Sequence, residues 1–428
     1  MDTNLTVFEE YNIRRIYDEE NETWLFSVIN IVQALTQQPD YLTARKYYNK
    51  LKGRLALEGN QSVTKFVTIL ILVFISIGCQ AQIINTIFGP VDETNPALLE
   101  LISSNAMQRL KYIDQSGPDA YFTDNFAKFS RYEHSLGVYA LLKRYNVSIE
   151  EQISGLLHDA SHTVFSHLGD LVFQNGRQRS QSYQDNIHEL SLKHMGIDQI
   201  LAKHKLTLPD VSPKNPQFLA LEQPYPDMNA DRIEYNLHTA LVFNDLTSIE
   251  MEQILTCLKF ENNKWYFTDI THAKKFARLS TYYNKAFWGS VHNQALHSVA
   301  TAMLKYALQE NIINSDELHF SVDEEILQKL QQHKSTVIQQ LLAIMHNIDN
   351  YYIISNLDDA HLSLPIKMRG IDPWVLHAGS LQRLSDLSHD FKNELSLTKT
   401  YCKRGVLIKF INISNNEILQ LIIAENSR

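Results

Sequence analysis

What most constrains this chain is a dispersed set of four residues, His134, the adjacent pair His158 and Asp159, and Asp231, each at a helix terminus beside an apolar stripe. In RYEHSLGVYALLKRY, Val138, Leu141, Leu142 and Tyr145 recur with helical spacing and place His134 near the start of a buried helix. In EEQISGLLHDASHTVFSHLGDLVF, the stripe through Ile153, Leu156 and Leu157 runs into His158 and Asp159, so the pair falls at a helix end, and Ser161 is expected to cap the next helix. In YPDMNADRIEYNLHTALVF, Asp231 heads an amphipathic helix whose apolar face is Ile233, Leu237 and Leu241, where the helix dipole favours a carboxylate. A single His on a helix is ordinarily a packed or surface residue. A neighbouring His and Asp beside a core, however, both need partners, because an unpaired buried carboxylate is costly, and a metal ion satisfies both. The four residues together therefore read as ligands for a divalent ion.

With these residues in place, the chain resembles the HD-domain metal-dependent phosphohydrolases, and within them the deoxynucleoside triphosphate triphosphohydrolase branch. The likeness begins at NPALLELISSNAMQRLKYIDQSG, passes through FSRYEHSLGV, GLLHDASHTVFSH and NIHELS to the Asp231 helix, and covers roughly Ile87 to Leu304. The resemblance implies that His134, His158, Asp159 and Asp231 bind the metal. It implies further that Gln115 and Arg131 contact the sugar and phosphates, that His162, His167 and His188 line the phosphate side, and that Tyr235 faces the substrate. A divalent ion (manganese, iron, zinc, nickel or magnesium) on such ligands polarises a phosphoryl oxygen and makes bound water more acidic. His162 or His188 is then the expected proton carrier beside Asp159, and Arg131 offers a donor fork for phosphate oxygens.

Two departures bear on the substrate. The segment RLSTYYNKAFWGSVHNQALHSVATAMLKYAL reads as one long helix where relatives place Arg, Lys and Tyr residues that clasp a triphosphate; here it is mostly neutral, with Trp288, His292 and His297 prominent. Thr239 stands where relatives often have an acid. Phosphohydrolase chemistry on a phosphate ester or anhydride is thus better supported than a nucleoside triphosphate substrate; the phosphorylated small molecule expected is a nucleotide on the family's pattern, with a monophosphate or a diester also open. The alternatives are a catalytically silent metal- and nucleotide-binding sensor, and a DNA-binding regulator acting through the N-terminal segment. Relatives also imply a homo-oligomer.

The fold expected is mainly α: a helical body over 87–348, a small α+β C-terminal appendage over 349–428, and a short α+β segment over 1–64. The stretch SLPIKMRGIDPWV in the appendage resembles the C-terminal part of uncharacterised bacterial HD proteins, and its Lys367, Arg369 and Trp374 are placed to flank the site or form an oligomer contact. The N-terminal segment, from RRIYDE through WLFSV to YYNKLKGRL, is similar to the start of the Bro-N DNA-binding module, with a basic cluster of Arg45, Lys46, Lys50, Lys52 and Arg54 around Tyr47 and Tyr48. It stops near Thr64, several elements short of such modules, which argues against DNA binding. Residues 65–86 then have the layout of a lipoprotein export signal, a Lys and an apolar run leading to Ser76-Ile77-Gly78 before Cys79, yet far from the start of the chain. This arrangement reads as a fusion or a misjoined reading frame, with membrane attachment or export if the segment acts as a signal or anchor and a cytoplasmic location otherwise. The net charge of −9 argues against a nucleic-acid partner for the helical body, and three cysteines without zinc-finger spacing imply neither a disulfide framework nor a finger. P-loop, GxGxxG and GxSxG patterns are missing.

Overall fold

The computed structural model describes residues 4–8, 11–18, 23–26, 28–36, 41–57, 82–124, 126, 128–173 and 183–426, which form two compact units divided after Ala81. In the first unit, strands Asn4–Phe8, Tyr11–Asp18 and Thr23–Phe26 make an antiparallel sheet, followed by helices Val28–Leu35 and Tyr41–Leu57. Arg45, Lys46 and Lys50 are exposed on the second of these helices. Residues 58–81, including most of the signal-like segment, lie outside the described residues. Among the described residues no helix is long and apolar enough to cross a membrane.

The second unit is mainly helical with small sheets, as its hydrophobic patterning requires. It opens earlier than expected, with the hairpin Gln82–Thr86/Gly89–Glu93. The three helices that carry the expected ligands start or stop where the sequence signals it. Ser130 caps Arg131–Arg144 through a capping box with Glu133; helix Ile149–Leu157 ends at His158; Asn229 caps Ala230–Val242 by accepting from the Arg232 N–H. They pack so that Leu136, Tyr139, Ile153, Leu156 and Leu157 are buried on one side and Val138, Leu141, Leu142, Ile233 and Leu237 on the other. The polar ligands are left at the seam.

Two expectations change. Ser161 caps no helix: the chain from Asp159 to His167 is a series of turns, the next helix begins at Leu168, and the Ser161 hydroxyl is bonded to Gln184 and His188. The single long helix is broken into Ile270–Tyr283, a wide π turn at Asn284–Trp288, and Val291–Gln309 restarted by Ser290. A side chain on Gly289 would meet the Asn284 carbonyl at 2.5 Å and Ile366 at 2.6 Å, so the break depends on glycine there. The C-terminal stretch is α+β but does not stand apart. Strand Trp374–His377 pairs in parallel with Lys264–Phe267, and Val406–Phe410 between Tyr352–Ile354 and Leu362–Leu364 buries Ile408 in the same core as Val299 and Met303.

The turn at Phe165–Ser166 links fold to site. Both residues are left-handed, at φ 57° and 55°, a conformation costly for side chains of this kind. Buried Asp323 holds the turn by accepting from the Phe165 N–H at 2.7 Å, the Asp114 N–H at 2.9 Å and the Tyr121 hydroxyl at 3.1 Å. Gly117, itself at φ 61°, passes close enough that a Cβ would lie 2.5 Å from the Phe165 carbonyl oxygen. Replacing Asp323 by Ala strands two buried N–H groups, which cost about 1–3 kcal/mol each. A fall in stability of roughly 2–5 kcal/mol by denaturant unfolding is the expected result; a change below about 0.5 kcal/mol, the scale of neutral surface substitutions, would show that the turn holds itself.

Candidate metal centre and its two cavities

The donor atoms of His134, His158 and Asp159 lie within 4.8 Å of one another, and Asp231 Oδ1 is 3.1 Å from His134 Nε2 and 3.8 Å from His158 Nε2. His134 and Asp159 are buried, His158 nearly so, and Asp231 is half-buried at the helix start. Each imidazole is oriented from behind. His134 Nδ1 meets the buried Glu234 carboxylate and His158 Nδ1 meets the Gly155 carbonyl at 2.7 Å. Both partners only accept, so Nδ1 carries a hydrogen in each ring and the two Nε2 atoms face one point, 3.2 Å apart, each a lone pair for a cation when its ring is neutral. Two lone pairs do not bond each other; both bind a cation. Burial opposes a charged His134, yet Glu234, Asp231 and Asp159 raise it to about 10, so the site is built to hold positive charge. Burial likewise opposes ionised Asp231, but the facing imidazoles of His134 and His158 hold its carboxyl well below the usual range. Two imidazole nitrogens and the Asp159 carboxylate, with Asp231 beside the imidazoles, suit a divalent ion of the transition series.

Asp159 is the hub. Its Oδ2 accepts from Arg131 at 2.6 Å and its Oδ1 is 3.2 Å from His162 Nε2. Burial works against its charge, but Arg131, His158 and His162 keep it ionised. The buried guanidinium of Arg131 also donates to Ser166 Oγ at 2.9 Å and to the Gln115 main-chain carbonyl at 3.3 Å, so three of its five N–H groups fix Asp159 to the Phe165–Ser166 turn.

One cavity opens on the donor set and a second lies by Ser166 and His167. The first, of about 540 Å³, is lined by His158 and His188 together with Asp185, Lys214 and Glu222. His188 Nδ1 is 2.9 Å from Ser161 Oγ, and that hydroxyl spends its one hydrogen on Gln184 Oε1 at 2.6 Å. His188 Nδ1 therefore donates, and its Nε2 is a buried lone pair with no protein partner. Burial, reinforced by His158, lowers His188 to about 4, so it is neutral at neutral pH. The other cavity, of about 370 Å³, is lined by Gln115, Ser166, His167 and Thr239, and by Trp288, His292 and His297 from the broken helix. Gln115 Oε1 is buried without a partner. Burial lowers His167 to about 3; its Nδ1 is held by Asp170 at 3.0 Å and its ring stands 5.0 Å from that of His162.

Tyr235 does not line this cavity: it is buried with its ring 5.1 Å from Trp288, and its phenol is hydrogen-bonded to Arg369. Lys367 and Arg369 do line it, whereas Trp374 packs beneath Arg383, 3.8 Å from its ring centre. Sequence reasoning passed over Glu234 and His238. Both lie on the helical face of Asp231, three and seven residues on, and polar residues repeating at that spacing into a core were the available signal.

The fold and donor set define a metal-dependent hydrolase centre. No family model matches the chain. It is 32% identical over 317 residues to the uncharacterized protein YdhJ of Bacillus subtilis, covering 73% of this chain and 94% of that one. It is 31% identical over 173 residues to the metal-dependent phosphohydrolase cns2 of Cordyceps militaris (40% and 49% covered) and 30% identical over 138 residues to the deoxynucleoside triphosphate triphosphohydrolase SAMHD1 of Danio rerio (28% and 22%). The chain thus spans about half the length of cns2 and less than a quarter of SAMHD1. A solved phosphohydrolase from Bacteroides thetaiotaomicron shares the fold at a TM-score of 0.59 and 16% identity, over 78% of this chain and all of that one. The chain belongs to the HD-domain phosphohydrolases, and it is a metal-dependent hydrolase of that family.

Proposed function

We propose that the protein hydrolyses a phosphate ester or anhydride of a nucleotide, with His134, His158, Asp159 and Asp231 holding the divalent ion. The observation that carries this reading is the pair of unpartnered buried polar atoms, His188 Nε2 and Gln115 Oε1, on residues that line one cavity each, the His188 cavity being shared with His158. A buried polar atom costs free energy unless it is bonded, and a phosphate group and a sugar hydroxyl are partners of the right kind. When bound, the ion supplies Lewis acidity to a phosphoryl oxygen and makes water a better nucleophile at neutral pH. His188 accepts a hydrogen bond from the attacking water through Nε2. Its tautomer suits taking a proton, not delivering one to the leaving oxygen. His162 keeps Asp159 in place from the side opposite Arg131, and His167, with Nδ1 held by Asp170, turns Nε2 toward the substrate's phosphates. Phe126, Phe243 and Trp288 give the Gln115 cavity an aromatic wall suited to a base. The likeness to a metal-dependent phosphohydrolase, cns2, supports a phosphorylated substrate, and that to the triphosphohydrolase SAMHD1 supports a nucleotide.

The test is phosphate release by the full chain with manganese across nucleoside mono-, di- and triphosphates and simple phosphate esters. His188→Ala is expected to keep its metal and lose about 10²-fold or more in kcat, the scale of a lost proton acceptor. Turnover by the unaltered chain on simple esters alone would overturn the nucleotide assignment, and unchanged kcat in the variant would remove His188 from the reaction.

A further inference from the structure

A second cluster of metal-ligating side chains lies outside the HD centre, where the helix Ser248–Cys257, the hairpin that follows it and the helix Ile270–Tyr283 meet. Cys257 and Asp269 are twelve residues apart in sequence. The hairpin closes that gap: strands Leu258–Glu261 and Lys264–Phe267 pair Leu258 with Phe267, and just beyond them the Thr268 N–H and hydroxyl both donate to the Cys257 carbonyl, at 2.8 and 3.1 Å. Leu258 and Phe267 are buried in one core with Ile254, Leu255 and Phe276, so packing as well as hydrogen bonding holds the end of one helix against the start of the next. Asp269 is the N-cap of the second helix, accepting from the His272 N–H at 2.8 Å, and the first turn brings His272 round to the same side.

The outcome is a thiol, an imidazole and a carboxylate, all half-buried, with donor atoms within 4.8 Å of one another. His272 Nδ1 is 2.7 Å from Asp269 Oδ2 and 3.5 Å from Cys257 Sγ. The Asp–His pair alone is an ordinary helix start, served by a hydrogen on Nδ1. That hydrogen does not serve the sulfur as well: either Nδ1–H donates to Asp269 or the Nδ1 lone pair accepts from the thiol, and the third group is left out. A cation joins all three. The spacing suits one, since zinc bonds of about 2.3 Å to sulfur and about 2.0–2.1 Å to nitrogen at a tetrahedral angle set those two atoms about 3.5–3.6 Å apart. The Asp269 edge, now hydrogen-bonded, opens by roughly 0.7 Å when an ion takes the proton's place. A thiolate and a carboxylate neutralise a dication, so the positive end of the helix does not oppose it. None of the three residues lines either cavity at the HD centre. Cys257 and His272 line a groove of about 750 Å³ with Ile249, Glu252 and Gln253, which gives solvent an approach to a fourth ligand position.

We propose that Cys257, Asp269 and His272 form a second metal site, for zinc, that staples the end of helix Ser248–Cys257 to the start of helix Ile270–Tyr283. Sulfur among its ligands distinguishes it from the HD centre, whose donors are nitrogen and oxygen, and favours a softer ion. The site does not depend on the hydrolase reading.

The experiment strips the full, reduced chain with chelator, titrates in cobalt(II) and then zinc, and follows the absorbance. Thiolate bound to cobalt gives a strong near-ultraviolet charge-transfer band that nitrogen and oxygen ligands do not, so the band reports this site and is blind to the HD centre. It is expected to saturate at one cobalt per chain, to vanish on adding zinc, and to persist in Asp159→Asn. Cys257→Ser is expected to abolish it, and His272→Ala and Asp269→Asn to raise the cobalt Kd by about tenfold or more. Asparagine keeps the helix cap, so a loss in Asp269→Asn reads the ligand and not the fold; circular dichroism checks every variant. In Asp159→Asn, zinc should raise the unfolding midpoint, and adding Cys257→Ser should remove that rise. No band in the unaltered chain, or a band that survives Cys257→Ser, would overturn the site and leave Asp269 and His272 a helix cap beside a half-buried thiol. A band lost with Cys257 but indifferent to both His272→Ala and Asp269→Asn would also overturn it, as binding by a single thiolate.

Discussion

Asp159→Asn is expected to strip the divalent ion and reduce phosphate release by about 10³-fold or more, the scale on which loss of a group organising the transition state is felt. Three features of the site make this the most damaging single substitution. The carboxylate contributes a donor to the convergent set; it accepts from Arg131 at 2.6 Å; and it faces His162 Nε2 at 3.2 Å. An amide has one acceptor oxygen in place of two and turns a donor toward either Arg131 or His162. The buried guanidinium then lacks its counter-charge, and breaking one side of a buried pair costs about 3–5 kcal/mol. Metal content by atomic emission, unfolding midpoint and turnover should therefore fall together. Arg131→Met separates the two contributions: it leaves all four donors, so metal is retained in larger part while stability drops. A chain with Asp159→Asn that keeps full metal and full turnover would place the centre elsewhere.

The four expected ligands were legible because each sits at a helix boundary whose caps and apolar stripe are local: Ser130 with Glu133 before His134, the end of Ile149–Leu157 at His158, Asn229 before Asp231. Their convergence was legible only through the resemblance, since no local pattern sets the angle between three helices. The break at Gly289–Ser290 was written in the sequence as a glycine followed by a capping serine, but the apolar period on both sides concealed it. The course of residues 365–370 over the π turn was not legible at all. Its position depends on hydrogen bonds from Asn284 and Ser280 to residues more than eighty positions away, and an irregular segment carries no periodicity from which such a pairing is read. The partners of Arg131 were not legible for a similar reason: a guanidinium's residue type gives its chemistry, while Ser166 and Gln115 are brought to it by the turn.

Gly137→Ala, a change of one methyl group that touches no ligand, is expected to weaken metal binding by about 10- to 100-fold, as losses of the groups behind metal-bound histidines do. Gly137 faces Glu234 across the packing of helices Arg131–Arg144 and Ala230–Val242; a Cβ there would overlap Glu234 Oε1 and lie 2.7 Å from its Cγ. Glu234 has nowhere to retreat. It is fully buried, bonded on one side to His134 Nδ1 and on the other to His238 Nδ1 at 2.7 Å, and the His238 ring is stacked on Phe129 with centroids 3.8 Å apart. Displacing the carboxylate frees His134 to turn, so its Nε2 no longer shares a point with that of His158. Glu234→Gln should give a similar loss by a different route, because the amide accepts from one imidazole and presents a hydrogen to the other. The signature is a raised metal Kd, with kcat recovering in large part at saturating manganese, which distinguishes a misaimed ligand from a collapsed fold. Unchanged metal affinity in Gly137→Ala would mean that the helices part to admit the methyl group and that Glu234 does not set the aim of His134.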